Sequence, residues 1–205
     1  MVLVTLLAQM ISAKFSHELS GILGAIKNSV EFIDNPNDSI KNQSIQLASS
    51  AANSAIVRLR FFRELYGYSD EPLSIANMER LASDFFAEKR INISFIDLNS
   101  LRASWRTSNH AKLFLCVAVL SQAHLPCGGE IKIDDKGDEV CVRVSGEVIV
   151  SASDSKRSIL TDSSRKYFMS IWNVHEHYAR QLADELQLKI SITEQDLGVY
   201  YRIFS

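Results

Sequence analysis

His17 and Glu18 stand side by side in the stretch Phe15-Ser16-His17-Glu18-Leu19-Ser20-Gly21-Ile22-Leu23-Gly24-Ala25-Ile26. Neutral imidazole is a good nucleophile near neutral pH, and its two nitrogens are told apart by what each one bonds. A carboxylate next to it can orient the ring, or hold the proton of one nitrogen so that the other attacks. The pair therefore suits an imidazole that accepts a phosphoryl group and gives it away. Phosphoryl transfer asks mainly for positioning and charge neutralisation. The same two residue types also sit together on ordinary solvated helix faces, and the pair alone leaves that reading open.

The element that must carry His17 is a long helix. From Leu3 to about Ile33 there is no proline, and glycine occurs only at Gly21 and Gly24. Apolar residues recur at Leu3, Leu7, Met10, Phe15, Leu19, Ile22, Ile26, Val30 and Ile33, in steps of three or four apart from one slip after Met10. At about 100° per residue, His17 falls away from this stripe. Ser20, Gly21, Gly24, Lys27, Asn28 and Glu31 share its face. A helical glycine costs roughly 1 kcal/mol relative to alanine. Two of them just beyond an exposed histidine keep room for a close approach, and these six residues are the expected docking face.

Asn35-Pro36-Asn37-Asp38 breaks the helix, and Asp38 or Ser39 is the expected cap of the next one. The second helix repeats Ile45, Ala48, Ala52, Ala55, Leu59, Phe62 and Tyr66 at alternating steps of three and four, and Gly67 ends it. The two form an antiparallel hairpin. A lone hairpin cannot hide so long a stripe, and a four-helix bundle made by two chains is the expected solution. Pairing about the turn puts Arg58 roughly level with His17. Arg58, Arg60 and Arg63 are candidates for contact with phosphoryl charge or with a partner's acidic rim. The alternative for each is solvated surface charge.

Tyr68 to Pro72 reads as a linker, dividing a hairpin domain, 1–68, from a second domain, 69–205. The second domain is expected to run helix (Ser74–Lys89), strand (Ile91–Ile96), apolar helix (Asn109–His124), hairpin (Glu130–Asp134 and Glu139–Ser145), helix (Ser170–Leu186) and two strands (Lys189–Thr193, Val199–Phe204). Ser151 to Arg165 reads as a loop or weak helix, with Lys156-Arg157 and Arg165-Lys166 on it. The fold class is α+β, with an α/β sandwich whose helices cover one face of a mixed sheet.

Composition narrows the function classes. The chain has 205 residues, 46% hydrophobic and 22% charged, with a net charge of −2. No global basic field suggests nucleic acid. Cys116, Cys127 and Cys141 lack metal-ligand spacing and read as buried cytosolic thiols. Val2 to Ile11 is apolar but too short to span a bilayer, so a cytoplasmic protein without membrane attachment is expected. His175-Glu176-His177 has the wrong spacing for one helix face and reads as surface. His110 and His124 show no ligand partners, and no metal site is expected.

His17-Glu18-Leu19, Gly24-Ala25-Ile26, Asn28, Glu31 and Phe32 together resemble the phosphoacceptor helix of the ChpT-type histidine phosphotransferases. The second helix is similar to that family at Ser50-Ala51, Ala55, Arg58-Leu59-Arg60-Phe61, Arg63 and Tyr66-Gly67. So is His177-Tyr178-Ala179 with Leu182-Ala183 near the end. The resemblance implies a homodimer whose bundle is like the dimerisation domain of sensor histidine kinases, joined to a domain like their ATP-binding domain. It implies His17 as phosphoacceptor and Glu18 as the group that orients or deprotonates it. It implies partners that are response-regulator receivers: the receiver of a CckA-like hybrid kinase, and CtrA-like or CpdR-like regulators. Magnesium would belong to the partner. Family members commonly carry serine and proline where this chain has Gly21 and Ile22. The residue four after the histidine often orients water for phosphatase action in sensor kinases, and Gly21 has no side chain for it. Little phosphatase activity is expected.

Leu113 through Ile133 looks like the asparagine-box helix of a kinase ATP-binding domain, with Pro126-Cys127-Gly128-Gly129 as its turn. Cys116 and Leu120 fall where metal- and nucleotide-binding asparagines would stand. An ATP lid needs a glycine-rich loop, because close backbone approach to phosphates favours glycine. After Gly146 the next glycine is Gly198. No ATP and no autokinase activity are expected. Two alternatives remain: a sensor-kinase core with a divergent nucleotide site, and a non-catalytic dimeric adaptor that binds receivers.

Overall fold

The computed structural model describes residues 2–68, 74–96, 105, 107–151, 158–161, 168–195 and 198–205. Two helices, α1 (Val2–Val30) and α2 (Asp38–Tyr66), form the N-terminal hairpin. Helix α1 stops three residues short of the expected Ile33, because the N–H groups of Phe32, Ile33 and Asn35 turn to i→i−3 bonds. The cap of α2 is Asn37, not Asp38 or Ser39. Its backbone is extended, and its side chain accepts from the N–H groups of Ser39 and Ile40.

The helices run antiparallel. Phe15 meets Phe62 edge-on at 5.9 Å between ring centroids, and Arg58 reaches Glu18 at 2.8 Å. The last turns of α2 bury two faces. Phe62 packs towards α1, while Phe61 and Leu65 are fully buried in the core that follows. Phe61 stacks on Phe85 at 4.0 Å. Lys112 donates to the Gly67 carbonyl at 2.6 Å and Tyr178 to the Leu65 carbonyl at 3.1 Å. These satisfy carbonyls that a helix end would otherwise leave without partners. The ammonium of Lys112 also lies at the negative end of the helix dipole.

The remainder comprises α3 (Ile75–Ala87), β1 (Ile91–Ile96), α4 (Ser108–Ser121), β2 (Gly129–Asp135), β3 (Glu139–Ser145), α5 (Ser158–Thr161), α6 (Val174–Glu185), β4 (Lys189–Gln195) and β5 (Gly198–Phe204). The sheet order is β1-β2-β3-β5-β4, with β1 and β2 parallel and the other pairs antiparallel. A parallel pair needs a crossover, which α4 supplies. Gly128 sits at φ +90°, where a Cβ would strike the Arg90 carbonyl oxygen at 2.5 Å. Only glycine lets β2 start beside the end of α3.

Ile131, Ile133, Val140, Val142, Val144, Tyr201 and Ile203 are fully buried under the helices, and Lys132, Arg143 and Arg202 alternate onto the other face. Helix α4 is buried from His110 to Ser121 and forms the centre of the core. Of the polar stretch after Ser151, the described part is α5, which buries Ile159 and Leu160. Lys156-Arg157, Arg165-Lys166 and most of the expected linker lie outside the described residues. Helix α6 begins at Val174 rather than Ser170, because Asn173 closes a turn over 168–173 before it. Among the described residues no helix is long and apolar enough to cross a membrane.

Candidate phosphoacceptor site

His17 is exposed on the middle of α1. Ser20, Gly21, Lys27, Asn28 and Glu31 are exposed beside it, and Gly24 is half-buried. A Cβ built on Gly21 or Gly24 meets nothing within 4 Å, so this face is open beyond the histidine. The opposite holds in the first turns of α1. Leu7 is buried against Met169 and Val174, with Leu6 and Met10 packed around them. The C-terminal unit thus covers α1 up to His17 and leaves it bare from there on.

Glu18 is half-buried and does not touch the imidazole. Its Oε1 pairs with Lys14 at 2.9 Å and its Oε2 with Arg58 at 2.8 Å. Burial raises its pKa, but Lys14 and Arg58, with Lys89 behind them, outweigh that and hold the carboxyl below its ordinary value. Arg58 also pairs with Glu88 at 3.1 Å and lies over the Phe85 ring. One guanidinium therefore bridges α1 to the residue that ends α3. Lys89 donates to Gln122 at 2.5 Å, and burial, followed by the neighbouring Arg58, lowers its pKa. A cavity of about 160 Å³ opens between these side chains, with Trp172 and His175 in its wall.

The structure brings Arg58 to the site but not the other two arginines. Arg60 is exposed, and Arg63 pairs with its neighbour Glu64 at 3.0 Å near the end of α2. Among the described residues no hydrogen bond or ion pair links either of them to His17 or Glu18.

Three features here are absent from the expectations read from sequence, and a fourth, His175, departs from them. Lys14 follows from its i, i+4 spacing to Glu18 and could have been found. Lys89 carries no signal of its own and is gathered in by packing. Trp172 meets the His17 ring edge-on, with centroids 5.5 Å apart and planes at 75°, and Lys14 Nζ lies 5.5 Å from the indole centroid. No periodicity marks Trp172, because it sits in a turn. His175 is not on the surface, as the spacing suggested. It is buried, its Nδ1 is 2.5 Å from the Tyr66 hydroxyl, and its ring stacks on Phe62. Burial pushes its pKa down to about 4, with Lys14 adding to the effect. The first turn of α6 faces the hairpin, and a spacing rule applied to α6 alone cannot see that.

His110 and His124 are structural. His124 bridges the Val150 carbonyl and the Tyr201 hydroxyl, and His110 bonds Thr107. Cys116 and Leu120 are buried in the core. The Cys116 thiol donates to the His175 carbonyl at 3.2 Å, and burial pushes its pKa up. Cys127 is exposed and Cys141 half-buried, so only one of the three thiols is buried as expected. Among the described residues no group of three or more histidines, cysteines and carboxylates could hold a metal ion.

The fold is that of a solved bacterial phosphotransferase, which superposes with a TM-score of 0.81 at 18% identity over 96% of this chain and 95% of its own. The blue-light activated histidine kinase EL346 of Erythrobacter litoralis gives a TM-score of 0.46 at 15% identity over 92% and 58% of the two chains. Histidine kinase ThkA, in complex with the response regulator protein TrrA, gives 0.44 at 17% identity over 98% and 61%. No curated protein sequence matches significantly. Residues 75–197 match the family model described as the histidine phosphotransferase C-terminal domain. The chain belongs to the histidine phosphotransferase family, as the resemblance to its ChpT-type members implied.

Proposed function

We propose that this chain carries phosphate in a two-component phosphorelay, with His17 as the carrier. One ring nitrogen attacks the phosphorus of an aspartyl phosphate on a receiver domain. The nitrogen–phosphorus bond forms as the bond to the aspartate oxygen breaks, and the aspartate leaves as carboxylate. The second transfer reverses these steps on another receiver. The observation that carries the reading is an exposed histidine at the boundary of a bare helix face, in a chain of the histidine phosphotransferase family.

Glu18 is assigned the orienting role and not that of base. A carboxylate held low by two cations is a weak proton acceptor, whereas accepting hydrogen bonds asks for no basicity. Arg58 fixes Glu18. Ser20, Gly21, Gly24, Lys27, Asn28 and Glu31 form the receiver-docking face. Arg60 and Arg63 contact the receiver only if its rim extends along the outer side of α2.

The donor is the receiver of a CckA-like hybrid kinase and the acceptors are CtrA-like or CpdR-like regulators. Their acidic pockets supply the magnesium. The protein works in the cytoplasm as a homodimer, without ATP, nucleic acid or membrane. Cys116 and Leu120 lie in the core, which supports the phosphotransferase over the kinase reading. The test is a two-receiver reconstitution. Label from a phosphorylated donor receiver should reach a second receiver only when the wild-type chain is present. Equal passage through His17→Ala would refute the proposal.

A further inference from the structure

Trp172 stands at the edge of the face on which His17 lies, and it is 70% exposed. An exposed tryptophan on a loose loop would carry no argument. This one is fixed. Asn173 Oδ1 accepts from the Ser170 N–H at 2.8 Å and from its hydroxyl at 3.2 Å, and Asn173 Nδ2 donates to the Phe168 carbonyl at 2.9 Å. The Trp172 N–H donates to Ser170 Oγ at 3.3 Å. On either side, Met169 and Val174 are buried against Leu7 of α1. The turn is therefore bolted to the helix that carries His17.

From that mount the indole makes two contacts. Its ring meets the imidazole edge-on, with centroids 5.5 Å apart. Its π system also receives Lys14 Nζ at 5.5 Å, and Lys14 is itself held by Glu18 at 2.9 Å. Glu18 thus reaches His17 indirectly, through Lys14 and Trp172.

We propose that Trp172 is the positioning residue for phosphoryl transfer at His17. Its ring closes the side of α1 already covered by the C-terminal unit, and keeps the imidazole turned to the open side, where Gly21 and Gly24 leave room for a receiver. The inference rests on His17 as phosphoacceptor. Trp172 makes and breaks no bond. An aromatic pair of this geometry biases a ring's orientation by roughly twofold to tenfold. Misplacing a nucleophile by a fraction of a bond length adds to that loss.

The test follows single-turnover transfer from a phosphorylated receiver to the full-length chain over a range of receiver concentrations. Trp172→Ala should slow the rate at saturating receiver by roughly tenfold, with little change in the half-saturating concentration. Trp172→Leu, which keeps bulk without a ring, should be slowed alike, and Trp172→Phe should recover most of the rate. In NMR spectra the imidazole proton resonances of His17 should shift in the Ala and Leu variants and hold in the Phe variant. A wild-type saturating rate in Trp172→Ala, a loss confined to half-saturation, or unmoved His17 resonances would overturn the proposal. Labelling that persists in His17→Ala would instead remove the phosphoacceptor reading. The NMR result reports on the indole–imidazole contact either way.

Discussion

Glu18 is where the charges around His17 converge, and its ionisation is tied to the fold. Its carboxyl titrates below the ordinary 4.5 because Lys14 and Arg58 outweigh its burial. A carboxyl lowered by folding stabilises the native state above its unfolded pKa. That contribution is lost as pH falls through the folded value, where the unfolded chain has already taken the proton. Wild type should therefore lose thermal stability more steeply than Glu18→Gln below pH 4.5. Parallel melting curves would show that the pairs contribute nothing. The same variant separates two roles. Glutamine still accepts hydrogen bonds, so an orienting Glu18 predicts a loss of transfer below roughly tenfold, whereas a general base predicts about 10² to 10⁴.

At the scale of elements, the junction of α2 with α6 has its own pH dependence. His175 lies neutral between Tyr66 and Phe62, with its pKa near 4. Between 6.5 and about 4 the unfolded chain binds a proton that the folded chain refuses. Stability is full above that window and falls as pH drops through it, by up to about 3 kcal/mol. His175→Phe, which keeps a stacking ring without a titrating group, should show a flatter melting temperature across the window. An unchanged slope would place the acid sensitivity elsewhere. This junction was also where the sequence was least legible. The periodicities of α1 and α2, the strands and the hairpin could be read locally, because burial of one face repeats along the chain. Phe61 and Leu65 fall outside the heptad that runs through Leu59 and Phe62. They are buried because the end of α2 has a second partner, visible only once α3 and α4 pack against it. His175 is buried for the same reason, because the end of α2 packs against it. His17, the glycines and the level of Arg58 were legible because one helix and one short turn place them.

For the whole molecule, the hairpin leaves an apolar face that is exposed among the described residues. Leu23 and Val30 of α1 and Ile45, Ile56 and Leu59 of α2 are 44–56% exposed. Large apolar side chains exposed together along two helices mark an interaction surface. A second copy seated there would complete a four-helix bundle and leave His17 on the outside. Wild type should sediment as a dimer, and Leu59→Glu as a folded monomer with unchanged helicity. A monomeric wild type at micromolar concentration would contradict the bundle.

The central claim is that one imidazole carries the phosphoryl group. The most direct measurement incubates a phosphorylated receiver with the chain and determines, by intact mass and acid lability, whether the chain gains one phosphoryl group. Wild type should gain a single acid-labile group on His17, and His17→Ala should gain none. Phosphorylation of the His17→Ala chain, or none of wild type by any competent receiver, would contradict the account.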